Sequence, residues 1–201
     1  MSARRTIDVS HLPTYAFRHR ALTWYATWSM ILMEGTMLVV FLISYFFLRT
    51  RVTNWPPGVM KPPDLLWGTV NLGIILVSAI PNQFAKKASE KLDLRGVRLW
   101  MIVTFLFAIA FSVVRIFEFA ALNCRWDDNA YGSIVWANMV FHTTHLLTDV
   151  ADTIVLIILM FVGPIEGKRF VDVSENCIYW DFVVVMWLMV YAVIYIGPRL
   201  T

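Results

Sequence analysis

The stretch FHTTHLLTDVAD, residues 141–152, carries two imidazoles and two carboxylates. On a helix, His142, His145, Asp149 and Asp152 fall within a sector of about 80°. Such a stripe could ligate a metal, pass protons or tie helices together by hydrogen bonds. Its neighbours in sequence are long apolar runs, and so are those of Glu34, Arg115, Glu118 and Asp181. An ionisable side chain at the centre of a bilayer costs roughly 2.5 kcal/mol or more and normally faces protein or water. In the metal reading, His142, His145 and Glu118 share one ion. In the proton reading, Glu34, Asp149, Asp152 and Asp181 are buried carboxyls that exchange protons. In the structural reading, Arg115, Glu118, His142 and His145 form an interhelical polar cluster. Arg115 should then pair with Glu118 or another acid, since an unpaired buried guanidinium is very costly. No Glu-x-x-His occurs on two helices, as a carboxylate-bridged di-metal site requires. The other histidines, His11 and His19, precede the apolar runs, so a haem pair with a copper site cannot be built from this chain.

The elements that must position these groups follow from composition. Of 201 residues, 59% are hydrophobic and 15% charged, where a soluble domain is nearer half and a quarter. The apolar excess comes in five blocks, residues 24–48, 66–84, 99–122, 133–162 and 177–196, each close to the ~20 residues that cross a bilayer. They predict an all-α membrane protein: a bundle of five transmembrane helices in one domain, 24–198, after a polar segment 1–23 with no signal-peptide h-region. Short loops leave no room for a soluble domain. With the amino terminus in the cytoplasm, eleven basic residues lie inside: Arg4, Arg5, Arg18, Arg20, Lys86, Lys87, Lys91, Arg95, Arg98, Lys168 and Arg169. Five lie outside, Arg49, Arg51, Lys61, Arg125 and Arg199. That bias predicts a cytoplasmic amino terminus and a periplasmic carboxyl terminus. The basic loops set topology and meet lipid head groups; nucleic acid is not an expected partner.

Between the blocks, TRVTNWPPGVMKPPD reads as an ordered, extended loop, because proline fixes φ and lacks an N–H. Its Trp55 suits a membrane–water boundary. KKASEKLDLRG reads as a charged connection. In GPIEGKRFVDVSENC one helix ends at Gly163-Pro164, and Asp172 or Ser174 offers a start for the next. Cys124 and Cys177 fall just outside two blocks at opposite faces, so no disulfide is expected. At about 1.5 Å per residue the ionisable groups sort into two layers. Arg115, Glu118, His142 and His145 lie in the outer one, and Glu34, Asp149, Asp152 and Asp181 in the inner one. Four carboxylates at similar depth cannot all stay ionised, so some are protonated, watered or paired.

Several stretches together resemble subunit III of the haem-copper respiratory oxidases. They are Glu34 before SYFFLR and Trp55-Pro56-Pro57; VNLGIILVS at 70–78, with Asn71 and Ser78; Glu118-Phe119; Tyr131-Gly132-Ser133; Phe141 with His142 and His145; and Glu175 before Tyr179-Trp180-Asp181-Phe182, Val183 and Trp187. Their order and spacing agree over residues 24–198. The resemblance implies a short five-helix bacterial form in the inner membrane, with no haem or copper of its own. It implies packing against catalytic subunit I and subunit II, which hold those cofactors, and roles in stabilising the catalytic subunit, binding phospholipid and sustaining proton uptake. Glu34 is then the buried carboxyl near the lipid cleft, and Glu118, His142 and His145 the polar cluster. Trp55, Asn71 and Trp180 are expected at lipid or subunit contacts. Three positions depart from the family pattern: Arg115 stands where glutamine is usual, Asp149 where a small residue is, and Asp181 where histidine is. Other readings are a relative associated with nitric oxide reductases, a metal enzyme using His142, His145 and Glu118, and a proton-coupled transporter using Glu34 and Asp149.

Overall fold

The computed structural model describes residues 15–58 and 60–200; Arg4, Arg5 and His11 lie outside them. After a 3-10 turn at Arg18–Arg20 come five long helices: α1 Leu22–Arg49, α2 Leu65–Glu90, α3 Leu94–Ala120, α4 Ala130–Val162 and α5 Gly167–Tyr191. The last continues through a π turn, Ala192–Ile196, and a 3-10 turn, Gly197–Arg199. All five are long and apolar enough to cross a membrane. There are no strands among the described residues. In a bilayer that is the expected outcome, because a helix satisfies its backbone polar groups within itself.

The helices run beyond the apolar blocks. α2 carries on through Lys86 and Lys87 to Glu90, so Lys91–Asp93 alone joins it to α3, and the charged connection expected there is mostly helix. α5 starts at Gly167, which puts Asp172 and Ser174 inside it rather than at its cap. Cys177 is buried within α5 instead of preceding it, and both cysteines are free. Hydropathy locates where a helix meets lipid; the backbone stays helical past that boundary because nothing in ASEK or KRFVDVSEN breaks it.

α2, α3, α4 and α5 close a ring in which each packs on the next and α5 returns to α2. α1 stands outside this ring against α4 and α5, burying only Ile31, Leu38 and Tyr45, one residue every two turns. α5 is the central helix, burying Val183, Val184, Met186, Trp187 and Val190 among others. The ring faces interlock as in other bundles, and polar groups such as Asn71, Ser78, Asn82, Arg115, Glu118, His142 and Asp149 are buried among their apolar residues. Hydroxyls along the spans bond back to their own helix: Thr104 to the Trp100 carbonyl, Ser112 to Ala108 and Thr143 to Met139. That leaves these hydroxyls with no unpaired donor toward lipid. Loops are tied at both ends. Where α1 begins, the start of α5 presents Gly167, and the Tyr15 ring occupies the space a Cβ there would need. Nearby, Arg18 pairs with Glu90 at 2.9 Å, a contact that raises the pKa of this exposed guanidinium. Arg98 donates to the Met160 carbonyl at 2.7 Å. At the other end Arg199 donates to the carbonyls of Tyr195 and Pro63, and Asn123 bonds Asp64 at 3.1 Å.

Candidate functional site

Within the ring, toward the end where the chain finishes, α3 places Arg115 and Glu118 one turn apart, with the ion pair at 3.0 Å. Both are buried. Each Glu118 oxygen has donors: Oε2 accepts from Asn71 of α2 at 2.6 Å and from Arg115, and Oε1 accepts from the Tyr195 hydroxyl. Tyr195 reaches it because the π turn rotates the end of α5 inward and because Gly68 has no side chain; a Cβ there would stand 2.6 Å from the tyrosine ring. The guanidinium lies 3.9 Å from the centroid of Trp187 and 4.6 Å from that of Phe111, so aromatic faces replace much of its hydration. Its NH2 donates to His142 Nδ1 at 3.1 Å, and His142 Nε2 meets the Val183 carbonyl at 3.1 Å. A guanidinium only donates and a carbonyl only accepts, so the ring is the neutral tautomer with its proton on Nε2. Arg115 Nε and Asn71 Oδ1 have no bond.

The opening stripe does not hold together as one site. At 100° per residue, His142 and Asp149 lie about 20° apart and face the ring interior, while His145 and Asp152 lie about 60–80° round the helix from His142, on the side of α1. His145 therefore does not join the Arg115 layer. Its Nδ1 is 3.1 Å from the Tyr179 hydroxyl and 3.5 Å from Glu34, and Tyr179 donates to Glu34 at 2.8 Å. This triad joins α1, α4 and α5. Asp149 accepts from Asn176 at 3.0 Å on one oxygen, and its buried Oδ2 has no partner. Asp181 is held by two amides of α2, Asn82 at 2.9 Å and Gln83 at 2.6 Å. Asp152 is exposed on the outer face of α4. The set His142, His145 and Glu118 thus separates, with both nitrogens of His142 engaged by protein. No three His, Cys, Asp or Glu side chains gather at metal-binding distance among the described residues.

Asn71 and Trp180 are buried inside the ring rather than at a lipid contact; the Trp180 indole donates to Ser78 at 3.0 Å. Trp55 donates to Tyr45 at 2.8 Å and packs edge-on against Tyr45 and Tyr131. Outside the spans, burial, with Asp128 nearby, pushes the Cys124 thiol up to about 11.

This arrangement ties the helices of the ring together by an ion pair and hydrogen bonds. The family model described as cytochrome c oxidase subunit III matches residues 25–198. The chain belongs to that family. It is 25% identical over 175 residues to cytochrome c oxidase subunit 3 of Thermostichus vulcanus, covering 84% of each chain. It is 30% identical over 157 residues to the probable cytochrome c oxidase subunit 3 of Nocardia farcinica, covering 75% of this chain and 76% of that one. A probable cytochrome c oxidase subunit 3 of Mycobacterium tuberculosis is 29% identical over 160 residues, with 75% and 76% covered. As a subunit III of a haem-copper oxidase, the chain is a multi-pass membrane protein of a respiratory complex. Sequence reading missed four partners of the subunit III polar groups: Tyr195, Asn176, Asn82 and Gln83. Gln83 and Asn176 sit at or beyond the edges of the apolar blocks, where a window count reads loop. Tyr195 is one of many aromatics, and only the π turn distinguishes it.

Proposed function

We propose that this chain is the non-redox accessory subunit of a proton-translocating terminal oxidase in aerobic respiration. It braces catalytic subunit I beside subunit II, holds phospholipid and supports proton uptake during oxygen reduction. It sits in a bacterial inner membrane with its amino terminus cytoplasmic and its carboxyl terminus periplasmic, the haem and copper belonging to the partners. One observation carries the reading: the His142 ring spends both nitrogens on protein, and His145 spends Nδ1 on a tyrosine and a carboxylate. Protein contacts of this kind stabilise helix packing and leave the redox chemistry to other chains.

Phospholipid is supported by a cavity of about 620 Å³ beside α1. Arg18 and His19 line its polar end, and Trp28, Ile31, Phe182 and Val185 its apolar wall, the two halves of an amphiphile. Proton uptake is supported by the Glu34–Tyr179–His145 triad at mid-membrane. The orientation rests on the basic residues at the end where α1 begins, Arg18, Arg20, Lys86, Lys87 and Lys168 among them. Affinity purification through a tag on this chain, followed by haem spectra and partner masses, tests the reading. Haem and larger chains should co-purify, and the separated chain should hold neither haem nor copper. A tagged chain that purifies alone, or turns over by itself, would overturn it.

A further inference from the structure

The outward faces of α3 and α4 differ in kind. Every exposed residue of α3 from Leu99 to Phe117 is apolar: Leu, Ile, Val, Phe or Ala. That is a surface for acyl chains. On α4 the exposed positions include Thr144, Thr148, Ala151 and Asp152, a small and polar ridge at i, i+4 and i+8. Thr144 and Thr148 bond back to Val140 and Thr144, so they cost little and allow a neighbouring helix to come close. Asp152 has no such refuge. It lies about 15 Å along α4 from Val162, well within the span.

Asp152 also lines a crevice of about 340 Å³ between α1 and the α4/α5 pair, with Asp172, Glu175 and Asn176. Glu175 is buried, 6% exposed, with both carboxyl oxygens closed off from the crevice, and Thr27 and Lys86 lie near it. Asp172 is near Arg169 of its own helix at 3.5 Å. Among the described residues no Lys or Arg lines the crevice itself, although Lys86 lies near Glu175 and Lys168 near Asp172. Asp152, which makes no ion pair among the described residues, is a carboxyl exposed within the span and calls for a donor from outside the chain.

Resting on the subunit reading, we propose that the ridge Thr144–Thr148–Asp152 and the adjoining acidic crevice dock a membrane-spanning helix of another chain. That helix places a lysine or arginine against Asp152. The small ridge sets the closeness of approach and Asp152 sets the register. The outer face of α3 is left to lipid.

A photo-crosslinking side chain placed at Thr148, and separately at Ile109 of α3, tests this in the whole complex in its native membrane. The expected result is a covalent product with another subunit from Thr148 alone, its crosslinked peptide lying within one helical turn of a basic residue. Asp152→Leu should lower the haem recovered per copy of tagged chain at least tenfold after detergent extraction, with Asp152→Glu restoring it. Crosslinks from Ile109 as well, from Thr148 only to lipid or to a second copy, or to a peptide with no basic residue nearby, would overturn the proposal. Unchanged haem recovery in Asp152→Leu would do the same. If wild-type chain recovers haem but Thr148 fails to crosslink, the docking face alone is wrong; if wild type recovers none, the subunit reading falls with it.

Discussion

The two halves of this bundle treat their carboxyl groups differently. Where the chain finishes, Glu118 has a donor on each oxygen, and four helices contribute to the cluster around it. Where the chain enters, Asp181 is held on both oxygens by amides, but Asp149 leaves one oxygen unbonded and Glu175 both, and Asp152 faces outward. A carboxylate answered on both oxygens by its own chain ties helices together and specifies the fold; one left open can take another partner. Buried charges that satisfy each other behave as a unit, and losing one member costs more than losing the set.

The sharpest test is Arg115→Leu. It strands Glu118 in the core with only Asn71 and Tyr195 as donors, at an expected cost of about 3–5 kcal/mol. Replacing Arg115 and Glu118 together by apolar residues should cost less than the single change. Unfolding in mixed micelles, followed by circular dichroism, compares the two; equal losses would remove the pairing from the account. Gly68→Ala comes next, at about 1–3 kcal/mol. Its new Cβ pushes the Tyr195 ring off Glu118, so the same change in a Tyr195→Ala background should cost almost nothing. A double-mutant cycle reads that coupling, and additive losses would disconnect the π turn from the cluster.

The entry half should respond in the opposite way. Asp149→Asn keeps an acceptor for Asn176 and replaces a carboxyl whose second oxygen is unbonded, so its effect should stay within about 1 kcal/mol of zero. A loss comparable to that of Arg115→Leu would make Asp149 a structural member like Glu118 and erase the contrast between the halves.

How much of this was legible beforehand depends on the kind of information. Five helices and the Arg115–Glu118 pair follow from apolar run length and i,i+3 spacing, both local. The division of the opening stripe was not, because an 80° sector is wide enough to straddle the ring interior and its rim, and only the neighbours decide which. Helix ends were misread at Lys86–Glu90 and Gly167–Asn176 because hydropathy reports the solvent rather than the backbone. Those segments supply Asn176 and Glu175, so the acidic crevice was hidden along with them. The packing of α5 and its π turn on α2 and α3, which brings Tyr195 to Glu118 and Asp181 to Asn82, joins residues 77 and 99 positions apart, and spacing rules reach only a few turns.

The smallest effect concerns Cys124, in the loop that seals the closed half. Its backbone carbonyl accepts from the Trp136 indole at 2.8 Å, and the thiol beside it is half-buried. Burial moves that thiol from 9.0 to about 11. Only roughly one thiol in a thousand is then the reactive thiolate at pH 8. Alkylation by iodoacetamide should rise about tenfold per pH unit up to pH 10 and level off only near 11, whereas chain unfolded in sodium dodecyl sulfate should level off near 9. The sign follows from linkage: the fold favours the protonated thiol, so this contribution to stability is whole below pH 9 and is lost as the pH climbs through 11. A rate from folded protein that levels off near 9 would mean that water reaches this loop freely. The closed half would then be closed only within the ring, around Glu118, and not up to its loops.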